Sequence, residues 1–105
     1  NLQSNIHIYV LQDDNNELVG MATLIIEEKL IHGGSKVGHI EDLVVDEKFR
    51  GKGYGKILLD YLIKKCKYFK CYKTILNCKS SNVGFYEKQG FKSNNVEMSL
   101  YFNNK

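Results

Sequence analysis

Three glycines in six residues, Arg50-Gly-Lys-Gly-Tyr-Gly55, separate an apolar run from an amphipathic one, and few arrangements satisfy both neighbours at once. Ile40, Leu43, Val44 and Val45 read as a strand, and Ile57, Leu58, Tyr61 and Leu62 recur at helical spacing. The intervening glycines remove side chains where a backbone can approach a ligand. The helix that follows presents unpaired N–H groups and the positive end of its dipole. A strand, glycine loop and helix in this order suit a phosphate group. A Walker loop is excluded because Ile57, not Ser or Thr, follows Lys56. A dinucleotide fingerprint is excluded because its third glycine would fall at position 56 or 58.

The rest of the chain supplies one sheet and one more helix. Ile6, Ile8 and Val10 alternate with polar residues up to the turn Asp13-Asp-Asn-Asn16. A second strand is expected from Leu18 to Ile31, with Val19, Met21, Thr23 and Ile25 on one face and Ala22, Leu24 and Ile26 on the other. Gly33-Gly-Ser35 turns the chain into a third strand, Val37 to Val45. The helix is expected from about Tyr54 to Tyr68, with Lys64, Lys65 and Lys67 on its wet side. Thr74 to Cys78 reads as a buried strand. Ser80-Ser-Asn82 is expected to cap a short helix over Val83 to Gln89, closed at Gly90, and Glu97 to Phe102 reads as a final strand. The order βββαβαβ predicts an α/β (α+β) domain over residues 1–105, a mixed, mainly antiparallel sheet with helices on its faces.

At 105 residues and 43% apolar content the chain is long enough for one core. Its net charge of +3 comes from fourteen lysines and one arginine, a mild lean that suits a polyanionic small molecule. No basic stripe interleaved with aromatics argues for nucleic acid. Cys66, Cys71 and Cys78 form neither a disulfide framework nor a metal pair, and His7, His32 and His39 lie outside ligand spacing, so no metal is expected. Free thiols suit a reducing compartment, here the cytoplasm. No signal peptide, lipidation motif or apolar run near membrane-spanning length is seen, and no membrane contact is expected. The start at Asn1 reads as part of a longer chain, so a targeting segment upstream stays open.

The loop Arg50-x-x-Gly53-x-Gly55 resembles the pyrophosphate loop of the GNAT acetyltransferases, and Asn82-Val-Gly-Phe-Tyr86-Glu-Lys-Gln-Gly-Phe91 resembles their C-terminal signature. His39-Ile-Glu-Asp-Leu-Val-Val45, Cys71-Tyr-Lys73 and Val96-Glu-Met98 narrow the resemblance to the glucosamine-6-phosphate N-acetyltransferase family over roughly residues 18–100. The resemblance implies the GNAT fold without part of its N-terminal helical region, and transfer of acetyl from acetyl-CoA to glucosamine 6-phosphate on the route to UDP-N-acetylglucosamine. It also implies a homodimer with the final strand at or across the interface.

Site roles follow from the same resemblance. Leu43, Val44 and Val45 would pair with pantetheine, and Arg50, Gly51, Lys52, Gly53, Tyr54, Gly55 and Lys56 would hold the diphosphate. Asn82 and Phe85 would flank the cofactor, and Tyr86 would protonate the departing thiolate. Glu41 and Asp42 would face the amine, with Lys29, His32, Lys70, Cys71 and Tyr101 also around the sugar phosphate. Two positions depart from the family. Asn77 replaces an acidic residue that orients the amine, and it can orient but not accept a proton. Tyr101 stands where a basic residue would meet the phosphate, a role then open to Lys29, Lys73, His32 or a partner subunit. Cys78 has no histidine placed to activate it as a nucleophile. Two alternatives stay open at this point: a GNAT enzyme for a peptide N-terminus, lysine or polyamine, and a non-catalytic acyl-CoA-binding domain.

Overall fold

The computed structural model describes residues 4–29 and 33–103. Three strands, β1 (Ser4–Gln12), β2 (Leu18–Lys29) and β3 (Ser35–Val45), form an antiparallel meander. Helix α1 (Tyr54–Tyr68) carries the chain to β4 (Cys71–Leu76), which pairs in parallel with β3 in a sheet ordered β1-β2-β3-β4. A short helix, α2 (Val83–Glu87), follows a single 3-10 turn at Ser80–Asn82. The first hairpin is closed by Asp13, whose side-chain carboxylate accepts from the backbone N–H of Asn15 and of Glu17, both at 2.9 Å. Asn16 takes the left-handed conformation that the turn requires (φ 63°).

Alternation along β2 decides which face is covered. Ala22, Leu24 and Ile26 point at α1 and, with Ile40 of β3, pack on Leu58, Leu59, Leu62 and Cys66. Each such leucine contributes about 2–5 kcal/mol relative to alanine. The helix contacts the sheet through this stripe, whereas Ile57 and Tyr61, expected on the inner face, are about half exposed. The 3.6-residue repeat fixes a stripe but not its phase, and the adjacent Leu58-Leu59 pair sets it here. Of the lysines, Lys64 and Lys67 are exposed, while the Lys65 ammonium lies 4.7 Å over Tyr68 and 5.4 Å over Phe69.

Three further expectations are corrected. The fourth strand begins at Cys71, three residues early, and is an edge strand rather than a buried one, with Tyr72 and Ile75 exposed. No strand forms over Glu97–Phe102, where Val96, Met98, Leu100 and Phe102 are all exposed. Within this single chain the segment pairs with no strand, and its alternating apolar side chains bury no face. The Ser80–Asn82 segment makes no side-chain cap and instead turns as 3-10 helix. The end of α2 matches expectation: Gly90 is left-handed (φ 98°), and the Phe91 N–H returns to the Tyr86 carbonyl at 3.2 Å. The outer end of the second strand, Leu30 and Ile31, lies outside the described residues.

Gly38 allows α1 to sit this close, because a Cβ there would lie 2.5 Å from the Cys66 sulfur and 3.5 Å from a Leu24 methyl. Gly38→Ala is therefore expected to cost about 1–3 kcal/mol in urea unfolding. Adding Cys66→Ala, which removes the colliding sulfur, should recover most of that loss.

Candidate active site

The pairing between β3 and β4 runs from Lys36–Cys71 to Ile40–Leu76 and then stops. On its other edge β3 continues against β2, but with a bulge: Glu41 pairs with Thr23 and Val44 with Met21, so Asp42 and Leu43 together oppose Ala22. Asp42 is left-handed at this point (φ 56°), a conformation that aspartate tolerates better than most residues. The bulge bends the strand away from β4. The edge of Glu41–Val45 that faces β4 is thereby left without a strand partner, and the sheet opens as a V.

One cleft, of about 500 Å³, lies at the α1 end of the V. Leu43 and Val45 form one wall; Arg50, Gly51, Gly53, Tyr54, Gly55 and Lys56 form the floor; Asn82, Phe85 and Tyr86 form the far side, with Phe49 added. Of the predicted cofactor residues only Val44 and Lys52 do not line it. Gly51 and Gly53 adopt left-handed backbone (φ 79° and 84°), and no side chain caps the start of α1, so its first N–H groups face the cleft unclaimed by a cap. A Cβ on Gly55 would stand 3.5 Å from the Phe85 ring, ordinary van der Waals contact that leaves little room for a branched side chain. The Arg50 guanidinium Nε donates to the Val45 carbonyl at 3.0 Å, tying the loop back to the strand that precedes it.

A larger cleft, of about 720 Å³, opens on the other side of the V. Strand register explains part of its lining, the rest coming from Ile63, Thr74 and Leu76 on the α1 side and from α2 and the segment after it. His39 and Glu41 share the β3 face that α1 does not cover, and Lys73, Ile75 and Asn77 follow on the matching face of β4, since Val37 pairs with Lys73 and His39 with Ile75. Glu41 and Asn77 sit one rung beyond the last pair, across the mouth of the V. Tyr86 lines both clefts. Its ring is packed edge-on between Phe85 and Phe91, at centroid distances of 5.0 and 5.9 Å. Burial, with a smaller push from Cys78, raises the phenol above the ordinary tyrosine value. A phenol so placed stays protonated and can donate.

Other predicted substrate residues are placed elsewhere. Asp42 is exposed at the bulge and lines neither cleft. Lys29 pairs with Glu27 at 3.2 Å, Lys70 is a left-handed turn residue (φ 64°), and Tyr101 is exposed on the C-terminal segment. Cys71 lies on the α1 side of the sheet, opposite the cleft, where its thiol contacts Cys66. Burial first, and Cys66 second, push it up to about 11. His32 is outside the described residues. The sequence reading gave no role to His39, which the structure brings into the larger cleft; only the period of two shared with Glu41 pointed to it.

Two clefts that share Tyr86, one of them floored by a glycine loop, form an arrangement suited to group transfer. The sequence matches the Acetyltransferase (GNAT) family over residues 1–91, and the chain belongs to that family. A glucosamine 6-phosphate N-acetyltransferase of Candida albicans is 45% identical over 101 residues, covering 96% of this chain and 68% of that protein. Its Arabidopsis thaliana counterpart is 41% identical over 91 residues, covering 87% of this chain. The chain spans 61% of that relative's length. The crystal structure of glucosamine-6-phosphate N-acetyltransferase from Arabidopsis thaliana superposes with a TM-score of 0.87 at 39% identity, over 93% of this chain and 67% of that one.

In an ultraviolet absorbance titration, the difference between wild type and Tyr86→Phe should show a phenol that ionises above the ordinary tyrosine range, near 10. A difference curve centred at or below that range would contradict the burial assigned to Tyr86.

Proposed function

We propose that the chain transfers an acetyl group from acetyl-CoA to the amine of glucosamine 6-phosphate, giving N-acetylglucosamine 6-phosphate and coenzyme A. The observation that carries this reading is Tyr86, which lines both a glycine-floored cleft suited to a diphosphate and a polar cleft bearing Glu41 and Asn77. Acetyl-CoA would lay its diphosphate over the first turn of α1 and its pantetheine along the free edge of Leu43–Val45. The thioester would then lie at the mouth of the V. Glu41 would hold the acceptor's ammonium end, and Asn77 would orient it. Lys73, four residues back along β4 and roughly 13 Å away by strand rise, would meet the phosphate. The amine attacks the thioester carbonyl, backbone N–H groups of the bulge support the oxyanion, and Tyr86 protonates the thiolate that leaves. Fixing both reactants supplies much of the rate without a covalent enzyme intermediate.

The family relationship and the names of the relatives support glucosamine 6-phosphate as acceptor, and its product would feed the making of UDP-N-acetylglucosamine in the cytoplasm. Asn77 favours a second reading. With no carboxylate there, a different primary amine becomes an alternative acceptor. Thiol release from acetyl-CoA, measured with glucosamine 6-phosphate, glucosamine, spermidine and a lysine peptide, separates the two. Release that needs both amine and phosphate supports the first, and release with another amine supports the second.

We further propose that Val96, Met98, Leu100 and Phe102, which alternate and are 86%, 91%, 78% and 88% exposed, form a strand against a second copy of the chain. Wild type should then sediment as a dimer and Leu100→Asp as a monomer in analytical ultracentrifugation.

Tyr86→Phe is expected to lower kcat about 10- to 100-fold with acetyl-CoA affinity unchanged in calorimetry. Gly55→Val, which drives a branched side chain into the Phe85 ring, should weaken acetyl-CoA binding at least about tenfold.

A further inference from the structure

The proposed reaction consumes an ammonium and releases a proton, and Asn77 cannot take it. His39 and Glu41 line the acceptor cleft from the same face of β3, two residues and about 6.6 Å apart along the strand. The His39 ring is half-buried, and its Nε2 lies 2.8 Å from Oε1 of Glu27 on the neighbouring strand. Glu27 also holds the Lys29 ammonium at 3.2 Å. These two bonds, Lys29 first and His39 second, keep its carboxyl below the ordinary glutamate range. An ionised carboxylate only accepts, so Nε2 of His39 carries the hydrogen and donates it to Glu27. In the neutral ring the lone pair is therefore on Nδ1. The same carboxylate stabilises the imidazolium that forms if Nδ1 takes a proton.

We propose that His39, with its tautomer set by Glu27, is the proton acceptor of the acceptor cleft, taking the ammonium proton onto Nδ1 directly or through one water. This rests on the acetyl-transfer reading above. An imidazole nitrogen with a free lone pair is the usual acceptor in general-base chemistry, whereas a carboxylate such as Glu41 holds a cation by charge. Glu41 then anchors the cation while His39 removes its proton. The balance closes. One N–H bond of the ammonium breaks and an Nδ1–H bond forms; the freed lone pair makes the C–N bond, and the C–S bond breaks. The thiolate takes the Tyr86 proton, Tyr86 is reprotonated by the second proton leaving nitrogen, and the imidazolium later gives its proton to water.

The charged groups around His39 are Glu27 and Lys29 from β2, Glu41 from its own strand and Lys73 from β4, with Glu87, Lys92 and Glu97 on the wall formed by α2 and the segment after it. Of these only Glu27 is bonded to the ring among the described residues.

The test is the pH profile of kcat for acetyl-CoA with glucosamine 6-phosphate, and with spermidine as second acceptor. His39→Gln, whose amide can keep the bond to Glu27 but has no basic nitrogen, should lose at least about a hundredfold in kcat and lose the acidic limb of the profile, with acetyl-CoA affinity unchanged. Glu27→Gln, whose amide can donate as well as accept, no longer fixes the hydrogen on Nε2 and should lower kcat about tenfold with acetyl-CoA affinity unchanged. Added imidazole should restore part of the His39→Ala rate. A His39→Gln rate within twofold of wild type, with the limb retained, overturns the assignment while leaving acetyl transfer intact. Wild type that releases thiol with no amine at all overturns acetyl transfer and this assignment together.

Discussion

The parting of β3 from β4 after Ile40 and Leu76 is the constraint on which the rest of the molecule depends. Up to that rung the strands satisfy each other's backbone groups. Beyond it, the β3 edge that faces β4 needs another partner or water. The bulge at Asp42 and Leu43 opens the V while β3 stays anchored to β2 through Val44 and Val45. The glycine loop follows directly, so the open edge and the uncapped start of α1 are held in one fixed relation by the Arg50 to Val45 bond. A ligand that is extended at one end and anionic at the other matches both features at once.

Packing and chemistry are divided between the two faces of the sheet. The α1 face carries the apolar residues Ala22, Leu24, Ile26 and Ile40, and Cys66 and Cys71 meet there as well. The opposite face carries Glu27, His39, Glu41 and Lys73, a row of ionisable groups that would be costly beneath a helix. Alternation along β3 and β4 therefore places the apolar groups under α1 and the ionisable ones on the other side. Tyr86 is the exception. It packs against the core and lines both clefts.

The glycine loop and its helix were legible because left-handed backbone at Gly51 and Gly53 demands glycine, and two such demands within three residues, just before a helical repeat, leave a clear pattern. The meander was legible from alternation and turn residues. Alternation at Val96, Met98, Leu100 and Phe102 names a face but not its partner, and a strand with no partner in its own chain does not form. The phase of α1 was misjudged because Ile57 and Tyr61 are as apolar as the residues that point inward. Cys71 was expected near the substrate from the family resemblance of Cys71-Tyr-Lys73, yet it packs on the α1 side. His39 was passed over for the complementary reason: its role depends on Glu27, twelve residues away in sequence and brought beside it only by pairing.

The central claim is that the free edge of β3 is completed by the cofactor. Amide hydrogen exchange of residues 41–55 with and without acetyl-CoA tests it directly. Slowed exchange at Leu43–Val45 together with Gly51–Gly55 is the predicted result, since both the strand edge and the glycine loop would be covered. Slowed exchange in the loop alone, with Leu43–Val45 unchanged at saturating acetyl-CoA, would contradict it.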